Sequence, residues 1–157
     1  MVVGENDSIA YKKAKDISIG EQIWTVMYDE YVGESVLKDH PIIKSFTNPR
    51  LEKTTIIGIV PSVKATTVTI NNDINKRFSL EERLFVKTDN GYEYLPVADI
   101  EIGQHIIIKN NETDFTEVEI TDITFIDEDR NVYKFDASPI DTIIAGDILV
   151  HNVKLFT

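Results

Sequence analysis

Apolar residues in this chain alternate with polar ones far more often than they recur every third or fourth position. The runs 23–26, 54–60, 66–70, 83–86, 92–95, 106–108, 117–123, 131–135, 142–144 and 148–150 are short and rich in β-branched or aromatic side chains. That pattern predicts β-strands. Clusters of turn formers separate many of them: Asn71-Asn72-Asp73, Asp89-Asn90-Gly91 and Asp127-Glu128-Asp129. Residues 87–92 predict a hairpin with Asn90-Gly91 at its tip. No long 3.6-residue periodicity appears. Segment 33–50, which holds Pro41 and Pro49, reads as an inserted loop with one helical turn.

The pattern also repeats. Asp16-Ile17-Ser18-Ile19-Gly20-Glu21-Gln22-Ile23 returns 83 positions later as Asp99-Ile100-Glu101-Ile102-Gly103-Gln104-His105-Ile106. An alternating run follows each copy, and each Gly suits a turn conformation closed to residues with a Cβ. Residues 54–60 echo 117–123 more weakly. Two copies of one β unit imply a pseudo-twofold, all-β domain. Trp24 and the other aromatics read as core packing.

At 157 residues, one domain with a sizeable core is expected. Hydrophobic content of 42% and charged content of 27% are ordinary for a globular protein. No apolar run reaches membrane-spanning length and no signal peptide opens the chain, so a cytoplasmic location is expected. The net charge of −11 opposes a nucleic-acid groove, and the short cluster at Lys12, Lys13 and Lys15 does not offset it. The absence of cysteine removes disulfides and thiol chemistry together. His40, His105 and His151 are scattered without ligand spacing, and no phosphate loop is present, so neither a metal nor a cofactor is expected. His40 reads as a loop residue and His105 as structural.

The residues with the clearest chemistry close the last strand. The run Ile148-Leu149-Val150 ends on His151-Asn152. An Asn side-chain amide can attack its own main-chain carbonyl, forming a succinimide and breaking the following peptide bond. The reaction is unimolecular, so its rate depends on how well the fold holds the attack geometry. An adjacent imidazole can protonate the leaving group.

The whole block 132–152 resembles, without a gap, the C-terminal motif of inteins, members of the hedgehog/intein (Hint) family. Val132-Tyr133 matches the entry strand, and Ala145 through Asn152 matches the ending. The main departure is Asp141, where many members carry His. Residues 1–9 resemble the family's N-terminal block: Val2, Gly4 and Ile9 fit, Glu5 stands where Asp is usual, and the nucleophile position falls on Met1. Ser8 is disfavoured as a substitute nucleophile, because too few residues separate it from Gly20 for the family's hairpin. The family's T-x-x-H motif is best matched by Ser79 and Glu82, with a one-residue slip to Leu80 and Arg83 as the other register. In both, the His is missing.

The resemblance implies an all-β Hint horseshoe with internal duplication, whose two chain ends meet at the centre. It implies a splicing domain at 1–152 and flanking extein residues at 153–157. The implied activity is self-excision with ligation of covalently attached flanking segments, single-turnover and cofactor-free, in a monomer that binds neither nucleic acid nor membrane. The expected site is Met1, Ser79, Glu82, Asp141, His151, Asn152 and Val153. Met1 and Val153 occupy the two nucleophile positions and carry no hydroxyl or thiol, which leaves only cyclisation of Asn152. Two origins fit: a natural domain that lost its chemistry, or a minimal Ser/Thr-type intein disabled at both ends, which is favoured. Lys154 to Thr157 resembles the start of a motif in family B DNA polymerases, common intein hosts, and a phage-type enzyme is one possible source. Contiguous and split forms both remain open. The rival reading is an inactive Hint fold acting as a structural or interaction module. A hedgehog-type cholesterol transferase would need an N-terminal Cys and a lipid-binding extension.

Overall fold

The computed structural model describes residues 1–31, 42–109 and 114–151. Its strands are β1 (Val2–Val3), β2 (Ile9–Ala10), β3 (Gln22–Met27), β4 (Arg50–Ile70), β5 (Asp73–Ser79), β6 (Arg83–Thr88), β7 (Gly91–Pro96), β8 (His105–Lys109), β9 (Phe115–Glu119), β10 (Ile123–Ser138), β11 (Thr142–Ala145) and β12 (Ile148–His151). One sheet runs β10-β4-β3-β1-β2, with β5 also on β4. The other runs β11-β12-β6-β8-β9, with β7 on β6 and β12 reaching β8. Among the described residues every strand pairing is antiparallel. No described residue is α-helical.

The repeated sequence folds into repeated structure, bond for bond. Short 3-10 turns at Ala14–Asp16 and Val97–Asp99 open the two copies. Gly20 (φ 92°) and Gly103 (φ 99°) take the left-handed turn position. The Gly20 amide donates to the Ile56 carbonyl (2.7 Å), and the Gly103 amide to the Ile120 carbonyl (2.9 Å). Ile56 and Ile120 answer by donating to the carbonyls of Glu21 (3.0 Å) and Gln104 (2.8 Å). The Ser18 amide donates to Glu21 Oε1 and the Glu101 amide to Gln104 Oε1. Ile56 therefore corresponds to Ile120. The weaker sequence echo, which aligned residue 57 with 120, was one position out of register.

Three other expectations are corrected. Runs 54–60 and 66–70 are parts of one long strand, β4, paired with β10 from Thr55 to Ile70. Asp127-Glu128-Asp129 does not end a strand. β10 passes through it with a register shift between Ile126 and Arg130, a bulge that absorbs residues of poor β propensity. The β6–β7 hairpin turns on Asp89-Asn90, with Thr88 paired to Gly91. The positive φ (127°) falls on Gly91, whose missing Cβ lets the Ile43 carbonyl approach. The helical turn expected in segment 33–50 falls partly on residues 33–41, which lie outside the described residues; from 42 on, the chain forms a bridge at Ile43 to Tyr92.

Two tight turns follow from local chemistry. Asn71-Asn72 (φ 54° and 56°) joins β4 to β5, and Gly146-Asp147 (φ 57° and 61°) joins β11 to β12. Paired left-handed residues match the right-handed twist of the strands they connect. The apolar faces close around three clusters. One holds Val2, Ile23, Ile56, Phe135 and Ala137 in the first half. One holds Val68, Leu84, Val86, Ile106, Ile120 and Val150 in the second. The third joins Met1, Tyr28, Phe85, Tyr94, Ile144 and Leu149 between them.

Candidate functional site

The short hairpin β11–β12 positions the site. Met1 is only 8% exposed, and its nitrogen donates to the Ile144 carbonyl on β11 (3.0 Å). The Met1 carbonyl accepts from the Trp24 amide on β3 (3.1 Å). Burial pushes the Met1 ammonium below its usual pKa, against the opposing fields of Asp147 and Glu21. Two residues back along β11, Thr142 pairs with His151. Thr142 also meets Thr25 of β3, hydroxyl to hydroxyl, at 2.7 Å. One four-residue strand thus touches both the start of the chain and the His that precedes Asn152. Asn152 and Val153 themselves lie outside the described residues.

Around His151 the structure assembles Asp141 of the same motif with groups that have no local sequence signal. Asp141, 2% exposed, places Oδ2 3.8 Å from His151 Nε2, an ion-pair distance rather than a hydrogen bond. Asp141 Oδ1 accepts from the Tyr31 hydroxyl (2.8 Å). The Tyr94 ring meets the imidazole edge-on, with centroids 5.3 Å apart. Burial pushes the Tyr28 phenol up to about 12, and Tyr94 well above its ordinary value. Both therefore stay protonated donors near neutral pH. Tyr31 and Asp141 are 110 positions apart, so sequence spacing could not pair them.

Ser79 and Glu82 sit elsewhere around the hairpin. Ser79 ends β5 and is buried, and the Glu82 amide donates to its carbonyl (3.2 Å) across a tight turn. Both line a cavity of about 200 Å³ with Ile143, Ala145 and Val150. Those three side chains alternate with Thr142, Ile144 and His151 along their strands. The structure therefore groups Met1, Asp141 and His151 around one face of the hairpin, and Ser79 and Glu82 around the other. Burial raises the Glu82 carboxyl to about 7, with Lys134 and a backbone amide pulling the other way. Ser8 lies in the loop before β2, where its carbonyl takes the Gly4 amide and the Trp24 indole N–H. His105 opens β8 opposite Glu119, and His40 lies outside the described residues.

No family profile matches the chain, and no curated protein sequence does. Solved structures do. The gp41-1 intein superimposes with a TM-score of 0.57 at 15% identity, over 90% of this chain and 87% of that one. A DnaB intein from Synechocystis sp. PCC 6803 gives 0.58 at 14% identity, over 87% and 82%. An intein from a hyperthermophile gives 0.53 at 16% identity, over 66% and 65%. With its two duplicated β units closed around a central hairpin, the chain has the all-β Hint horseshoe fold of these inteins.

Proposed function

We propose that the chain is a protein-splicing domain of the intein kind, halted at both nucleophile positions. The observation that carries this reading is the double attachment of β11. Ile144 holds the Met1 nitrogen, and Thr142 pairs with His151. Splicing passes one acyl group between chain ends distant in sequence, and it requires this convergence. An amide N–H at Met1, formed when a flanking segment precedes it, can make the same bond to Ile144.

In the proposed chemistry Met1 and Val153 supply no hydroxyl, so neither the first acyl shift nor the transesterification can start. Cyclisation remains. The side-chain nitrogen of Asn152 bonds to the Asn152 carbonyl carbon and gives up a proton. The bond from that carbon to the Val153 nitrogen breaks, and the leaving nitrogen takes up a proton. His151 delivers that proton. Asp141, fixed by Tyr31, orients the ring and stabilises charge that develops on it. At the other end, Glu82 stands where the family uses His. A carboxyl titrating near neutrality can take or give a proton as an imidazole does.

The test is a double substitution, Met1→Ser with Val153→Thr, between two distinguishable flanking segments. Ligated flanks in a mass spectrum are expected. A folded double variant that ligates nothing overturns the reading and leaves a rigid structural module.

A further inference from the structure

The steps above use Glu82 in the wall of the cavity but not the cavity's space, and the internal duplication indicates what fills it. Val2 pairs with Ile23 as Val86 pairs with Ile106, and Ile23 and Ile106 are equivalent in the repeat. Met1 therefore stands where Phe85 stands, and both side chains belong to the same central cluster. In the second half the strand continues backward through Leu84 and Arg83. There it lies antiparallel to β12, with Leu84 opposite Val150 and Arg83 opposite His151. In the first half the outer edge of β11 takes the place of β12, and the bond from Met1 to Ile144 fixes its register. A residue joined to the Met1 nitrogen then falls opposite Ala145, as Leu84 falls opposite Val150. Residues directly opposite in an antiparallel pair share a face. The face of Ala145 is the cavity, whose other walls include Phe78, Phe135, Ile143 and Val150. Leu84 fills its own position against Val150 completely, with no exposed surface. Ala145 is smaller and leaves space.

Building on the splicing reading, we propose that this cavity of about 200 Å³ is a recognition site for the side chain of the residue joined to the Met1 nitrogen. It selects an apolar side chain of leucine to phenylalanine size. The backbone of that residue extends β1 along the free edge of β11. This places the peptide bond to be rearranged beside the wall that carries Ser79 and Glu82. Edge pairing supplies affinity through the main chain, and the pocket supplies the choice of side chain.

The experiment fuses a short peptide to Met1, with leucine, phenylalanine, aspartate or glycine as the adjoining residue, and follows exchange of the Met1 amide. Leucine and phenylalanine are expected to slow exchange by roughly tenfold or more relative to glycine and aspartate, because opening must also empty the pocket. Ala145→Phe, which fills the cavity from β11, should erase that difference. If this variant does not fold, a fluorinated phenylalanine at the adjoining position reads the site in the parent chain, and a buried, shifted resonance is expected. Equal exchange for all four residues, or a resonance at its solvent-exposed position, overturns the proposal. Met1 carries no nucleophile, so both readouts are independent of splicing. A domain may splice with this pocket empty, or fill the pocket without splicing, and the two proposals fail separately.

Discussion

The two halves of this domain share a scaffold and differ in what they attach to it. Around Gly20 and Gly103 the same hydrogen bonds recur, and the tip residues Ile19 and Ile102 are both 65% exposed. The difference lies between the repeated strands. β8 leads to β9 by a short connection, whereas β3 leads to β4 through residues 28–49. That longer connection carries Tyr28 into the central cluster, Tyr31 onto Asp141 and Phe46 against Phe85. The second difference is in what meets the hairpin: Phe85 sits inside β6, whereas Met1 lies just ahead of β1 with its nitrogen bonded to the Ile144 carbonyl. The symmetric parts hold the shape, and the asymmetric parts reach the candidate site.

The largest test of that division addresses the ends. Incubated for days, the chain is expected to lose the peptide after Asn152 slowly, since misplacing an attacking group by about 1 Å can cost on the order of 100-fold in rate. Asn152→Ala should abolish the loss altogether, as read by intact mass. Equal loss from both proteins would identify a contaminating protease and remove Asn152 from the mechanism.

Glycines test the scaffold. An added Cβ at Gly20 or Gly103 meets no atom within 4 Å, so only the left-handed backbone resists. Gly20→Ala and Gly103→Ala should each cost about 1 kcal/mol, equal within roughly 0.5 kcal/mol. At Gly91 a Cβ would collide with the Ile43 carbonyl oxygen, in addition to a φ of 127°. Gly91→Ala should cost about 2–4 kcal/mol in denaturant unfolding. Unequal costs at Gly20 and Gly103 would break the equivalence of the halves.

Glu82 tests the cavity wall. Its folded pKa is raised from 4.5 to about 7 by burial, so ionisation opposes folding. The penalty is absent below pH 4.5, grows as pH rises through 7 and is complete above it. Glu82→Gln should leave stability unchanged at pH 4 and raise it at pH 8 by on the order of 1–3 kcal/mol. The same gain at both pH values would show that burial of charge is not the cause.

How much of this was legible beforehand follows from the range of each interaction. The Asp-Ile-x-Ile-Gly blocks encode turns through neighbouring residues, and both turns form where the sequence placed them. The strand pattern was legible too, because alternation is local. The merger of two runs into β4 was not, since its cause is the partner β10, from 53 to 83 positions away in its paired residues. The candidate site divided in the same way. His151 and Asp141 stand in one motif, and the structure sets them within ion-pair distance. Tyr31, Tyr94 and Thr25 join them only through tertiary folding, with nothing in their own neighbourhoods to mark them. The separation of Ser79 and Glu82 from His151 across the hairpin was equally illegible, because a motif gives residue types and not the face they occupy.

The finest test replaces one half's turn residue with the other's. Glu21 corresponds to Gln104, and each side-chain oxygen accepts the backbone amide three residues earlier. Glu21 also pairs with Lys12 at 2.7 Å, and that lysine side chain is 45% exposed. The Lys12 hydrogen bond is the main cause holding the Glu21 carboxyl below its usual pKa. Glu21→Gln keeps the turn bond and removes the ion pair. An exposed pair of this kind contributes about 0–1 kcal/mol, so the substitution should cost less than about 1 kcal/mol at pH 7. A depressed carboxyl contributes stability above its unfolded pKa and loses it as pH falls through the folded value. The difference between the two proteins should therefore vanish in acid, and should shrink with added salt at pH 7. A larger cost that persists under both conditions would mean that the turn needs the carboxylate itself, and that the two halves are less alike than their hydrogen bonds.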